Sequence, residues 1–240
     1  MLDGGTLQLR SFGGQKPEDQ AIRNLANLYV GVNGFTLEID DDASSAAQPF
    51  TAAPNQTAPV YDRAAWRTAP AFVKKGTGTF TLRGANAYRC ATAVEAGTLA
   101  LAAGASLPED AVVRVDAGAT LDLGATPATV KLLAGAGAVR GDVTVTDALA
   151  ADAVSLAPNT GLAVDGTLTF GEEAVIDVRG IDENAFRASR RLLAAATPFA
   201  AVPALYINGE PAGADWQVLR RNGGRELVLA HTVGSALYFR

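Results

Sequence analysis

A short pattern, Gly-Thr followed by alternating apolar and polar residues, recurs along the chain and constrains its fold more than any other feature. Such alternation over four or five residues is typical of a short β-strand with one buried face. From the second unit onward, the first inward residues follow one another at intervals of 19, 22, 22 and 25 residues. This period predicts a solenoid of stacked parallel strands. The units are residues 5–9, 78–82, 97–101, 119–123, 142–145 and 166–170.

The inward residues of these units are predicted to pile into one column. A single turn of the coil is too small to bury its own apolar face, so each inward side chain rests on the next and contributes about 1.5 to 3 kcal/mol by its burial. We expect Leu99 to lie on Leu121, and Leu121 on Val143. Aromatic residues make up only 7% of the chain. The core is therefore expected to be thin and built from small side chains.

The chain is predicted to consist of a coil and a cap. Residues 1–180 are expected to form the coil, with a long Ala/Pro/Ser/Thr-rich excursion at about residues 40–70. Residues 181–240 are expected to form a β-rich cap, because the last turn of a solenoid exposes apolar surface and an unpaired edge.

Shorter elements are also predicted. In the cap, Trp216 to Arg220 and Glu226 to Ala230 flank Asn222-Gly223-Gly224, a sequence typical of a β-hairpin. Short helices are expected over residues 17–27, which begin with a proline and acidic residues, and over residues 182–191, which have an acidic start.

One stretch, KKGTGTFTLRGANAYRCATAVEAGTL, resembles the autotransporter-associated β-strand repeat of bacterial secreted passenger proteins. It departs from that pattern at Phe80, where leucine is usual, and at Arg89-Cys90-Ala91, where a glycine-containing bend is usual. Cys90 adopts a positive φ only at a cost, so we expect this turn to be reshaped. The matching residues are Lys74, Gly76, Gly78, Thr79, Leu82, Gly84, Asn86, Tyr88, Thr92, Gly97, Thr98 and Leu99.

This resemblance implies an exported, all-β protein folded as a right-handed parallel β-helix, and it does not imply an enzyme. The cap is similar to the closing segment of such passengers at Phe186, Leu192-Leu193, Pro203, 216–218 and 227–229. The first residues, MLDGGTLQLRSFGG, lack the basic and apolar regions of a signal peptide. We therefore expect a larger bacterial parent chain with any export signal upstream, and an extracellular or outer-membrane-associated location.

Charge and rare residues exclude several classes of function. A net charge of −5 and a pI near 4.9 argue against a nucleic-acid binder. Cys90 is the sole cysteine and His231 the sole histidine, so an intramolecular disulfide, a cysteine metal cluster and a multi-histidine metal site are impossible. Both residues are expected to be structural. No apolar run approaches the ~18 residues of a transmembrane helix, and no cofactor is expected.

Three carboxylates could recur at matching points of successive turns: Asp122, Asp142 and Asp165. Sugar-cleaving β-helices use such clusters for acid–base chemistry or for calcium. Stacked carboxylates repel one another without a cation. We expect these residues to alternate between outward faces and corners, with no catalytic or metal site.

The excursion carries the one constellation that suggests ligand binding: Tyr61, Arg63, Trp66 and Arg67. Aromatic faces beside guanidinium groups can stack on sugar rings or receive acidic groups. The alternative is that Tyr61 and Trp66 pin the excursion against the coil, because a long loop without such contacts would lack order.

These observations predict a non-catalytic structural or adhesive region that presents a surface for attachment. Its partners are expected to be host or cell-surface glycans or proteins. The alternatives are a carbohydrate-binding module and a polysaccharide lyase or glycosidase. A scaffold or adhesin predicts a smooth coil without a deep acidic cleft, and a cleft of three or more clustered carboxylates on the solvent face would count against it.

Overall fold

The computed structural model describes residues 1–9, 28–40, 44–45, 49–55, 61–152, 161–182, 186, 189–233 and 236–237. Over these residues the chain is all-β. Helical structure within them is limited to two single turns of 3-10 helix, Arg63–Ala65 and Asn222–Gly224. The helix predicted over residues 17–27 lies outside the described residues. The helix predicted over residues 182–191 is wrong at its end, because Arg190 and Arg191 belong to a strand, and much of its remainder lies outside the described part.

The strands are numbered in chain order. They are β1 (Thr6–Leu9), β2 (Leu28–Val30), β3 (Gly34–Ile39), β4 (Ser44–Ser45), β5 (Phe50–Ala52), β6 (Ala71–Lys75), β7 (Thr79–Leu82), β8 (Ala91–Val94), β9 (Thr98–Leu101), β10 (Val112–Val115), β11 (Thr120–Asp122), β12 (Ala128–Gly135), β13 (Ala138–Arg140), β14 (Val143–Asp152), β15 (Leu162–Asp165), β16 (Leu168–Phe170), β17 (Val175–Arg179), β18 (Arg190–Ala195), β19 (Ala204–Ile207), β20 (Glu210–Pro211), β21 (Trp216–Arg221), β22 (Glu226–Val233) and β23 (Ala236–Leu237).

Two long sheets run the length of the coil. The first sheet has the order β1-β3-β6-β8-β10-β12-β14-β17-β19-β20, and β16 also pairs with β14. The second sheet has the order β4-β7-β9-β11-β13-β15-β18-β22-β21, with β23 beside β22, and β2 and β5 form a small third sheet. Pairing is parallel from β1 to β19 in the first sheet and from β4 to β18 in the second. Each turn of the chain thus adds one rung to a solenoid of parallel strands, as predicted.

The core of the coil lies between the inward faces of the two long sheets. In the second sheet, Phe80 lies beside Leu99, and Leu99 beside Leu121, as the sequence predicts. The next residue in this column is Val139, so the prediction that Leu121 rests on Val143 was wrong. Val143 is buried in the first sheet, where it pairs with Leu168.

Two long strands explain this error. β12 and β14 each turn a corner of the coil, with a register shift between Val130 and Leu132. The start of β14 pairs with β16 and its end pairs with β17, so one strand serves two faces of the rung. The spacing of the repeat therefore gives the number of turns correctly. It does not show that the last two repeat units lie in the first sheet while the three before them lie in the second.

The largest group of aromatic side chains lies at the N-terminal end of the core. Phe35 and Phe72 stack with ring centroids 4.9 Å apart, and the ring of Tyr88 lies 5.7 Å from that of Phe72. Phe50 and Phe80 complete this aromatic cluster. Between this cluster and the C-terminal end, where Phe199 and Trp216 are buried, the core consists of Leu, Val, Ile and Ala, in keeping with the thin interior that the composition predicts.

Polar residues of the repeat pattern are buried at its corners. Asn86 accepts a hydrogen bond from the amide of Phe50 (2.9 Å) and donates to the carbonyls of Ser106 (2.9 Å) and Gly84 (3.2 Å). The hydroxyl groups of Tyr88 and Thr92 lie 2.7 Å apart. These residues hold the backbone of tight corners, where strand pairing is interrupted.

The C-terminal residues change the pairing direction. β18 and β19 still add parallel strands to the two sheets, whereas β22 pairs antiparallel with both β18 and β21. β21 and β22 form the predicted hairpin around Asn222–Gly224. The division of the chain into a coil and a cap at residue 180 stays a prediction. None of the helical turns in the described residues is long and apolar enough to cross a membrane.

Candidate functional site

Residues 61–70 form a strap that crosses the outer face of the first sheet. Trp66 is the centre of this contact and is only 5% exposed. It packs on side chains that point away from the core of the coil, so the first sheet is covered on both faces at this place. The residues of this outer cluster are Trp66, Leu132, Ala134, Ala148, Ala150 and Val175, flanked by Tyr61, Val112 and Tyr206.

The first half of the strap is held by Asp147 in β14. The Tyr61 hydroxyl donates to one oxygen of this carboxylate, and Arg63 Nη2 lies 2.5 Å from the other. The ammonium group of Lys131 lies 4.4 Å from the centre of the Tyr61 ring. Burial and the hydrogen bond to Asp147 raise the pKa of Tyr61 above its ordinary value. Tyr61 therefore stays a neutral, fixed donor at physiological pH.

The second half of the strap meets a ladder of ion pairs. The guanidinium of Arg67 lies 4.8 Å from the centre of the Trp66 ring, and the Arg67 carbonyl accepts a hydrogen bond from Arg114 (3.2 Å). Arg114 is paired with Glu95 at 2.6 Å, and Glu95 with Lys75 at 3.1 Å. These residues lie on neighbouring rungs, so the strap is fastened across several turns of the coil.

Clefts open beside the strap. The strap cleft, of about 440 Å³, lies between the strap and the corners at residues 87–91 and 108–112. A shallower groove of about 1020 Å³ follows Tyr61, Arg63 and Asp147 toward Arg179. Arg179 is held at 3.0 Å by the buried carboxylate of Asp177. A smaller cleft, of about 290 Å³, lies beside Trp66 and Arg67.

The structure brings together the four residues predicted to bind a ligand, though in different surroundings. Tyr61 and Arg63 meet at Asp147, Trp66 is buried, and Arg67 is exposed next to the smaller cleft. Tyr61 and Trp66 also touch the coil, which is the alternative role considered from the sequence. Ligand binding by the four residues stays a prediction.

Sequence reasoning missed two members of this site, Asp147 and Lys131. They lie in the coil, 86 residues after Tyr61 in the case of Asp147. Their outward positions in β12 and β14 depend on the register of these strands. The repeat spacing does not predict that register, because it shifts between Val130 and Leu132. No local motif in the sequence links them to the strap.

The stacked carboxylates are separated by a cation. Arg140 lies between Asp122 and Asp165 in the second sheet, with its guanidinium 3.9 Å from Asp122. Asp142 lies at a corner and accepts a hydrogen bond from the amide of Thr167 at 2.7 Å. In the part of the chain that the structure describes, no group of three or more His, Cys, Asp or Glu residues could hold a metal ion.

Cys90 and His231 lie in separate surroundings. Cys90 is buried beside the strap cleft, and burial raises the pKa of its thiol to about 11. The reshaped turn expected at Cys90 needs no positive φ at residues 89–91. The ring of His231 stacks on Trp216, with centroids 4.2 Å apart. The structure thus places the histidine in the hairpin and the thiol in the repeat.

Comparison with known proteins gives one match. No curated protein and no solved structure matches the chain. The family model described as passenger-associated-transport-repeat matches residues 72–101 and confirms the resemblance seen in the sequence. Residues 72–101, which form β6 to β9, match this repeat.

Proposed function

We propose that this chain is a non-catalytic, passenger-like region of an exported bacterial protein that presents a rigid surface for attachment or recognition. The observation that carries the proposal is the matched repeat at residues 72–101, which lies in an unbroken parallel ladder in both long sheets. An extended solenoid of this kind offers a long outer surface at little cost in core residues. The proposed location is extracellular or associated with the outer membrane.

The charged groups on the outside support a non-catalytic role. Arg140 lies between Asp122 and Asp165 in the strand register and is paired with Asp122 at 3.9 Å, so a cation separates these two carboxylates. A lyase or glycosidase needs two carboxylates with separate roles, or carboxylates that hold calcium. We expect no release of reducing ends from a panel of pectic and host polysaccharides, with or without calcium. Release that requires the folded chain would overturn the non-catalytic part of the proposal.

The strap is the part of the surface that we propose carries recognition, through Tyr61, Arg63, Trp66 and Arg67. The proposed partners are glycans or proteins of host or bacterial cells. The strap cleft is a concave site whose lining includes the carboxylates Asp62, Glu109 and Asp110, whereas a plain scaffold needs no such cleft. By the expectation from the sequence, such carboxylates count against a plain scaffold or adhesin, although among the described residues no three acidic groups could together hold a metal ion.

Attachment can be measured with beads coated with the purified chain and offered to epithelial cells and to bacterial cells. We expect the coated beads to be retained several-fold more than beads that carry the variant Leu121→Asp. That variant places a charge in the core of the coil and should unfold it. Equal retention of the two bead types on both kinds of cell would refute an adhesive role.

A further inference from the structure

The strap cleft has walls that are already fixed without a ligand. Tyr61 is held by Asp147 and covered by Lys131, and Trp66 is locked in the outer cluster. Tyr88 also lines the cleft, and its hydroxyl lies 2.7 Å from that of Thr92. A site whose walls are held by their own contacts loses little conformational freedom when it binds a ligand. The volume of about 440 Å³ is also typical of small-ligand sites.

The surface of the cleft combines an apolar floor with a polar rim. Small or rigid side chains form the floor, including Cys90, Ala111 and Pro108, and all three are buried. Such a floor suits the C–H face of a sugar ring. The rim carries both hydrogen-bond donors and acceptors, which suits the hydroxyl groups around that ring. The rim residues are Asp62, Arg89, Glu109, Asp110 and Lys131.

The charge of the rim discriminates between classes of sugar. It has two cations and three carboxylates, a net charge of −1. The ammonium of Lys131 also lies over the Tyr61 ring and is engaged there. An acidic sugar would meet net repulsion at this rim, whereas a neutral sugar would not.

We propose that the strap cleft binds a neutral oligosaccharide, with a sugar ring on the floor formed by Cys90, Ala111 and Pro108. This inference rests on the recognition role proposed above and names its ligand class and its place. Of the four residues proposed for recognition, Tyr61 and Trp66 line the strap cleft, whereas Arg63 and Arg67 do not. Binding does not require the ion pair of Arg63 with Asp147 to open, because these two residues line the groove and not the strap cleft.

The test uses the full chain on a printed array of neutral glycans and of their sialylated, sulfated and uronic-acid counterparts. We expect binding to be confined to neutral glycans. Ala87 is exposed at the cleft, so Ala87→Trp should fill the cleft without disturbing the core and should weaken binding at least ten-fold. Ala125→Trp, at an exposed turn outside the cleft, is the matched control and should bind as the unmodified chain does.

A second variant keeps the test decisive if Ala87→Trp fails to fold. Glu109→Lys changes one exposed rim charge and turns the net charge of the rim from −1 to +1. We expect it to bind acidic counterparts of the same glycans that the unmodified chain rejects. Absence of binding to any glycan, binding only to acidic glycans, or binding unchanged in both variants would overturn the inference.

The same variants separate this inference from the proposed function. If coated beads attach to cells, Ala87→Trp leaves that attachment unchanged and no glycan binds, then recognition uses another surface and only the cleft assignment fails. If the beads attach to nothing, the proposed function itself fails.

Discussion

The ammonium nitrogen of Lys74 lies 3.2 Å from the carbonyl oxygen of Ala96, at the corner of the next rung. The same nitrogen donates to the carbonyls of Lys75 (2.6 Å) and Gly76 (2.9 Å). The Lys74 side chain is fully buried, at a position of the ladder between Leu37 and Val94. One lysine thus replaces an apolar residue in the column and ties two rungs together through their backbone.

Lys74 should make stability depend on pH. Burial lowers its pKa to about 8 from the ordinary value of 10.5, an effect that Asp40 partly offsets. The unfolded chain therefore holds more protons than the folded chain between about pH 8 and 10.5, so stability rises across this window and the gain is lost as the pH falls through 8. Relative to Lys74→Met, we expect the free energy of unfolding of the unmodified chain to increase by roughly 1 kcal/mol from pH 7 to pH 9.

Urea unfolding of both proteins at several pH values measures this difference. Cys90 is present in both proteins, so its own titration cancels in the comparison. Parallel pH profiles for the two proteins would show that Lys74 does not titrate in this range.

Replacing Asn86 by aspartate should lower the stability of the chain, although the two side chains have nearly the same shape. Its amide group donates to the carbonyls of Ser106 and Gly84, while its oxygen accepts from Phe50. Asn86→Asp keeps the acceptor but turns a carboxylate oxygen toward those carbonyls, and Asn86→Ala leaves buried groups without partners at roughly 1 to 3 kcal/mol each. We expect both variants to lower the midpoint of urea unfolding, with the acidic substitution at least as harmful as the truncation. A fully stable Asn86→Asp variant would contradict the corner role.

Two glycines with similar φ angles should differ in their tolerance of alanine. Gly97 has φ 63°, and a Cβ atom there would lie 2.4 Å from the Gly78 carbonyl oxygen. Gly104 has φ 74° with nothing within 4 Å of such an atom. Gly104→Ala should therefore cost only the backbone strain, about 1 to 2 kcal/mol, whereas Gly97→Ala must also displace a neighbouring rung. Thermal unfolding should show at least twice the loss for Gly97→Ala, and equal losses would refute the close packing of rungs at this corner.

Trp66 should control the docking of the strap. Trp66→Ala removes the centre of the outer cluster, and truncation of a buried tryptophan typically costs about 3 to 5 kcal/mol. If the strap can open locally, that cost will be concentrated there. We expect amide hydrogen exchange in residues 61–70 to accelerate at least ten-fold, with little change in β9.

Arg67→Ala is the matched control, because it removes a neighbouring exposed side chain and leaves Trp66 in place. Its strap should exchange nearly as slowly as that of the unmodified chain. Uniform acceleration along the whole coil in Trp66→Ala would mean that the strap and the rungs unfold together.

Local pattern was sufficient to predict much of the fold. Alternation and glycine spacing predicted the strands at residues 79–82 and 98–101, and turn chemistry predicted the hairpin at residues 216–230. These features depend on near neighbours in the chain. The repeat at residues 72–101 was also recognisable because its corner residues serve contacts within one or two turns.

Pairing between rungs was less predictable. Leu99 and Leu121 are 22 residues apart, whereas Leu121 and its true neighbour Val139 are 18 residues apart, because corners differ in length. The inward position of Lys74 was missed for a related reason: a charged residue reads as outward unless its backbone partners are known. Asp147, which fixes the strap, is placed by that same register.

The parallel ladder also determines how this coil would respond to tension. The hydrogen bonds between rungs point along the axis of the solenoid, so a force applied at its two ends would load them one after another rather than together. The coil would then peel open by single turns at modest force and lengthen in small steps. Lys74 hydrogen-bonds to the backbone of two rungs at once, so separating these two rungs would require a higher force than separating their neighbours.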